Sequence, residues 1–514
     1  MIMSVSLKKV AKGTIIVFIG LIVGMLLAFI GRVIVIRYIT QSEYGTFCIA
    51  LALLNIFVII STLGLQEGVP RQIAYFRGKN KGRKDYGVVI SSLQIALVTA
   101  VLFSSLLFFA SDFISIKFFH NPELSLPLKI FSAALPFLAL INILTAIFRG
   151  YGKIDVKVYF QDILRNALFP LFLVVVILLG LSFFAVLYAH VVSIVITCIV
   201  FAIYTMKKTP LLKAEKDIDP DPMRKDLLFF SLPLLVAFML NLIMIWTDTL
   251  MLGYFKTSDI VGLYNGALPL ARLIPIALAS MVFIYTPIIA QLYSQNLIEE
   301  IKRNYTVLTK WIFVSTLPLF LIFFLFPEIV LDFFFGPQYV QADIALRILT
   351  FGFFIHTLLG PNAATLIAMG RTRLLMWTSL AGAVLNVVLN ISLIPLMDIS
   401  GAAIASGSAL ALVYLILSIR LYQLSEVHPF TKNYLKSILT SIVLMSVIYI
   451  IAKKILEITF WMLPILLILF IVAYAFSLLL TKSFDEEDIM MFLEIEKNTG
   501  IDAPRIKGIL KRFL

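Results

Sequence analysis

The stretch Tyr38-Ile-Thr-Gln-Ser-Glu-Tyr-Gly-Thr-Phe47 returns, one residue longer, as Tyr254-Phe-Lys-Thr-Ser-Asp-Ile-Val-Gly-Leu-Tyr264. Both copies hold a tyrosine, a serine, an acid, a glycine and an aromatic ring in one order. These are Tyr38, Ser42, Glu43, Gly45 and Phe47 in the first, and Tyr254, Ser258, Asp259, Gly262 and Tyr264 in the second. Pro70 and Pro287, read as the ends of two helices, keep the same offset, as do Gly152-Lys153 and Gly370-Arg371. A shared offset of 216–218 residues marks an internal repeat.

What repeats is a set of apolar runs. Of 514 residues, 61% are hydrophobic and 14% charged, with a mean hydropathy of +1.02. A soluble domain is about half apolar and a quarter charged, so water is the wrong solvent for this chain. Each run is about 20 residues long, the length of one helical crossing of a ~30 Å hydrocarbon layer. Leu171–Gly180 and Leu466–Leu480 are apolar on every face, as lipid-embedded helices are. The expected fold is an all-α integral membrane protein with 14 transmembrane helices. The spans fall at 13–37, 45–69, 87–110, 127–148, 160–180, 183–205, 227–252, 260–290, 305–327, 344–369, 374–396, 401–423, 435–452 and 458–481.

The net charge of +13 does not read as a nucleic-acid footprint, because Lys and Arg gather at alternate span ends. One set of loops and termini holds 32 of the 42 basic residues and the opposite loops hold 7, which puts both termini in the cytoplasm of a cell-membrane protein. Lys8, Lys9 and Lys12 precede a run too long for a signal-peptide core, so that run is read as a retained first span. Six spans per repeat is an even number, so both halves insert in one orientation as parallel repeats about an axis along the membrane normal. The expected layout is a six-helix lobe at 1–205, a cytoplasmic linker at 206–226 and a second six-helix lobe at 227–424. Helices 13 and 14 follow at 425–481, then a cytoplasmic tail at 482–514. Two lobes around a wet cleft between spans 1, 2, 7 and 8 is a geometry for transport.

Four stretches carry a resemblance: Arg37-Tyr-Ile-Thr-Gln-Ser-Glu-Tyr-Gly-Thr-Phe47, Leu63-Gly-Leu-Gln-Glu-Gly-Val-Pro-Arg71, Asp248-Thr-Leu-Met-Leu-Gly253 and Val261-Gly-Leu-Tyr-Asn265. They resemble the polysaccharide and oligosaccharide flippases (Wzx-type) of the multidrug/oligosaccharidyl-lipid/polysaccharide exporter superfamily. The likeness runs across spans 1–12, and spans 13–14 match the fourteen-helix members. It implies a MATE-like fold that flips a lipid-linked oligosaccharide, on a polyprenyl phosphate or pyrophosphate, from the cytoplasmic to the outer leaflet. Such a carrier works as a monomer among membrane lipids.

Charges inside spans are costly and functional by default. Arg32 on span 1 and Asp248 on span 7 stand at repeat-equivalent depths, where they pair across the cleft or are satisfied within their own bundles. Arg272 lies in span 8 between Pro269 and Pro275, which bend that helix, and its guanidinium suits bidentate capture of a phosphate. The resemblance implies the same, since lipid II flippases line a cationic cavity with a span-8 arginine. Arg32, Arg272 and Asp248 are the substrate-binding candidates. Asn386 and Asn390 share one face of span 11. With Asp248 and Ser406 they form an oxygen-rich candidate site for Na⁺ or H⁺, resembling the cation site that some superfamily members build between spans 7, 11 and 12. Asn390 stands where a relative carries a second acid. Interhelical hydrogen bonding is the other reading of both asparagines.

Glu67 and Arg71 read as a local ion pair, Gly20 and Gly24 as a close-packing face, and His190 and His356 as packing residues. Cys48 and Cys198 sit in apolar runs and make poor disulfide partners. Asp217-Ile-Asp219-Pro-Asp221 gives a DxD pattern that a membrane glycosyltransferase would need, but it falls in the Pro- and Lys-rich linker. No GxxxxGK[ST] loop is present. No cofactor beyond a coupling ion and no enzymatic activity are expected. A cation-coupled multidrug exporter of the same superfamily is the nearest rival.

Overall fold

The computed structural model describes residues 2–79, 82–153, 155–208, 223–455 and 460–480. The DxD stretch and the tail from 482 onward lie outside them. The chain packs into two compact units, 1–265 with 387–402, and 266–386 with 403–514. These boundaries differ from the lobes read along the sequence, because span 7 and the tip between spans 11 and 12 pack with the first unit.

The first unit contains α1 (Ile2–Tyr38), α2 (Gln41–Ser61), α3 (Leu65–Gly78), α4 (Gly82–Phe113), α5 (Ser125–Ser132), α6 (Leu135–Gly150) and α7 (Asp155–Lys157). It continues through α8 (Arg165–Leu178), α9 (Phe183–Lys208) and α10 (Arg224–Phe255), and α11 (Ser258–Ala271) begins in it. A capping box starts α2: Thr40 Oγ1 accepts from the Glu43 amide at 3.3 Å, and the Glu43 carboxylate accepts from the Thr40 amide at 2.8 Å. The first half of the repeated sequence is thus a helix-start signal. Pro70 does not end span 2. The break comes earlier, at Leu63 (φ 49°) and Gly64 (φ 76°), and the helix then runs through Pro70 to Gly78. Likewise Pro287 lies inside its helix, which continues to Ser294. Prolines are tolerated in buried membrane helices where neighbours satisfy the freed groups. The α3 side chains Leu65, Val69, Ile73 and Phe76 form a core with Val88, Val89, Ile143, Ile147 and Leu227.

The second unit holds α12 (Ile276–Ser294), α13 (Ile298–Leu325), α14 (Pro327–Phe335), α15 (Asp343–Leu358), α16 (Asn362–Ala368), α18 (Lys432–Ile455) and α19 (Met462–Leu480). Between α16 and α18, α17 (Thr372–Ser425) is two helices joined at Asp398, whose φ is 50° and ψ −127°. The break between α15 and α16 bends that span by 41° around Gly360. Breaking a helix in lipid frees carbonyls, and here buried hydroxyls take them up: Tyr305 donates to Leu359 O, and Tyr434 to Leu358 O at 2.8 Å.

Among the described residues, 7 helices are long and apolar enough to cross a membrane, or 10 with each bent pair taken as one span. Phe109, Leu178 and Leu396 are each about four-fifths exposed. Bare apolar surface of that extent needs lipid against it. The chain is an all-α multi-pass membrane protein.

Candidate functional site

Asp248 lies on α10 and is 3% exposed. Its carboxylate accepts from the Tyr264 hydroxyl and, at 2.8 Å, from Asn390 Nδ2. One position along each helix, Thr249 Oγ1 donates to Asn265 Oδ1 at 3.1 Å. The two motif stretches Asp248–Gly253 and Val261–Asn265 therefore meet as a ladder of two polar rungs, and Tyr44 of α2 adds a bond to Asn265 O at 3.3 Å. Asn390 is fully buried, and among the described residues its Oδ1 has no hydrogen-bond partner. A carboxylate beside an unused amide oxygen is a donor set that fits a hard cation. Asn386 donates instead to Ser406 Oγ at 3.3 Å, within the second unit. Two bonded pairs among the four expected residues are thus present, Asp248 with Asn390 and Asn386 with Ser406.

The tip at 387–402 is tied to the first unit by a second contact: Lys256 binds the Asp398 carboxylate and, at 3.1 Å, Pro395 O. Arg32 is half-buried on α1 of the first unit. Arg272 is exposed and belongs to the second unit. It stands in the turn at 272–275 between α11 and α12, where the span bends by 48° as the flanking prolines foretold. Lys310, inside the expected span 305–327, lies on α13 and is 5% exposed.

The repeated stretches meet each other within the first unit. A Cβ added to Gly45 would overlap the carbonyl oxygen of Ser258, and one added to Gly262 would overlap that of Gln41. Each glycine meets the residue four positions before the other glycine, one helical turn. That reciprocity is the mark of a two-fold related contact. Gln41 Nε2 donates to Asp259 O at 2.8 Å and Thr46 Oγ1 to Ser258 Oγ at 3.2 Å, which closes these helix ends together. At the far end of span 2, Gly64 and Gly68 abut Ser231 of α10 in the same way. Where the sequence suggests a cleft, span 2 touches α11 at one end and α10 at the other.

Other expectations resolve locally. Glu67 pairs with Arg149, at 2.9 and 3.1 Å, and not with Arg71, which lies over the Phe230 ring at 4.5 Å. Both members of the Glu67–Arg149 pair are more than a third exposed, so Glu67→Gln should change stability by less than about 1 kcal/mol in thermal unfolding. His190 is packed by Phe47, Phe131 and Phe169, and His356 stacks on Tyr414. Gly20 and Gly24 seat α1 against residues 158–164, with Val158 and Asp162 in the way of any added Cβ. Tyr264 is the hydrogen-bond partner of Asp248 that sequence reading missed, although it stands inside a motif already singled out.

The family model described as "Polysaccharide biosynthesis protein" matches residues 10–293, and the model described as MatE matches 233–392. The chain is 23% identical to an uncharacterized membrane protein of Methanocaldococcus jannaschii, over 74% of this chain and 77% of that one. It is 22% identical to a Shigella flexneri protein named as an O-antigen transporter, over 66% of this chain and 80% of that one. Among solved structures, the lipid II flippase MurJ in an inward closed conformation superposes with a TM-score of 0.70 at 14% identity, covering 90% of this chain and 98% of that one. With more than half of its residues under the first model, the chain belongs to the polysaccharide biosynthesis protein family, on the flippase side of the exporter superfamily that its motifs resemble.

Proposed function

We propose that this protein flips a lipid-linked oligosaccharide, carried on a polyprenyl phosphate or pyrophosphate, from the cytoplasmic to the outer leaflet of the cell membrane by alternating access. It is a carrier and not an enzyme, acting as a monomer with fourteen spans and both termini cytoplasmic. The observation that carries this reading is the reciprocal glycine closure at Gly45 and Gly262, a contact that two like-oriented repeats make and break as a gate. Without a protein route, each unbonded sugar hydroxyl costs roughly 4–8 kcal/mol to take into hydrocarbon. Opening and closing at alternate ends avoids that cost, because the head stays solvated throughout.

Two sets of residues divide the work. Arg272 at the helix break, with Arg32, supplies positive charge for the phosphate or pyrophosphate. Asp248 and Asn390 hold the coupling Na⁺ or H⁺, the role favoured by the unused Asn390 oxygen. That acidic pocket is also what a cation-coupled drug exporter would need, so the rival reading stays in the test. Arg272→Ala should lower translocation of a labelled lipid-linked oligosaccharide at least about tenfold, the equivalent of one charge-assisted bond, and Arg272→Lys should restore part of it. Full activity in both Arg272→Ala and Arg32→Ala, or efflux of cationic dyes in place of glycolipid transfer, would overturn the assignment.

A further inference from the structure

A recess of about 650 Å³ opens beside the glycine closure, at the end of the first unit that the positive-inside rule places outside the cell. It is lined by Phe119, His120, Glu123, Tyr254, Lys256 and Asp259, among others. Its volume is that of a small-molecule site. Tyr254 is 49% exposed, with the His120 ring edge-on to it at 6.0 Å and Phe255 at 4.9 Å. The backbone around it is unusual: Ile114–Phe118 is a π-helix, and His120 holds a left-handed φ of 51°. Both kinds of irregularity concentrate at functional sites. Asn121 holds the segment in place by donating to Ser258 Oγ at 2.8 Å.

The charges decide the ligand class. Lys256 is neutralised by Asp398, whereas Glu123 and Asp259 are exposed and enter no ion pair among the described residues. The recess therefore repels phosphate. Carboxylates beside an open aromatic ring suit a neutral sugar: the ring takes the apolar C–H face of a pyranose, and the carboxylates accept from adjacent hydroxyls. We infer that this outer recess is a saccharide-binding subsite, which receives the glycan head as it leaves the gate, with Tyr254 as platform and Glu123 and Asp259 as acceptors. The inference rests on the flippase reading for its biological use, but its binding test stands apart.

The test uses the full chain in lipid nanodiscs on an array of neutral tri- and tetrasaccharides, with calcium chloride and inorganic pyrophosphate as separate arms. At least one glycan should be retained. Tyr254→Ala and Glu123→Gln should each weaken retention at least tenfold, Tyr254→Phe should preserve it, and pyrophosphate should not compete. Retention of no glycan, retention unaffected by Tyr254→Ala, or calcium binding alone would overturn the subsite. Translocation measured on the same preparations separates the two claims. Transfer without glycan retention removes the subsite only, and retention without transfer removes the flippase reading and leaves the subsite.

Discussion

Gly45→Ala should abolish most transport while leaving the protein folded, because its methyl group would occupy the position of the Ser258 carbonyl oxygen. Backbone cannot yield there as a flexible side chain would, so the ends of α2 and α11 must separate. If these ends form the outer gate, the variant holds it open. Gly262→Ala should do the same from the other side, through Gln41. Gly68→Ala presses on Ser231 at the opposite end of span 2 and should bias the protein the other way. The natural thiols give the readout. Cys48 is buried and one turn from Gly45, and Cys198 is the other cysteine in the sequence. On a Cys198→Ser background, a membrane-impermeant maleimide added outside should label Cys48 at least tenfold faster in Gly45→Ala than in the parent. No acceleration should follow from Gly68→Ala. Equal labelling of all three, with transport intact, would mean that the contact is packing and not a gate.

Asp248→Ala should be the most destabilising single change at the Asp248–Asn390 pair. It leaves the Tyr264 hydroxyl and the Asn390 amide buried without their acceptor, and each such loss costs about 1–3 kcal/mol. A loss of roughly 3 kcal/mol in all is expected, read as a lowered midpoint of thermal unfolding. Asp248→Asn keeps the volume and tests the charge. Its stability should fall less, while dependence of transport on an ion gradient should vanish. Transport by Asp248→Asn that still rises with the gradient would remove Asp248 from coupling.

The architecture was legible where chemistry repeats at fixed spacing. Gly45 and Gly262 are visible as repeat partners, and their reciprocal contact follows from the symmetry the sequence implies. Asp248 with Asn390 was legible as an acid and an amide in a membrane span. Asn386, one turn away on the same helix, donates to Ser406, a bond that helical spacing alone does not specify. Tyr264 was hidden by its own pattern, since matching it to Phe47 reads the ring and not the hydroxyl. Helix breaks were the weakest reading. Pro70 and Pro287 look like terminators yet lie inside helices, while the breaks fall at Leu63–Gly64 and around Gly360, where positive φ is required. Hydropathy averages over such breaks, so Gly360-Pro361 passed unnoticed inside one apolar run.

Reconstitution into liposomes with a fluorescent lipid-linked oligosaccharide in the inner leaflet tests the central claim most directly. A membrane-impermeant quencher added outside should gain access to the label at a rate proportional to the protein present, and Gly45→Ala should slow that gain at least tenfold. Access no faster than in protein-free liposomes, under every ion gradient applied, would contradict the account.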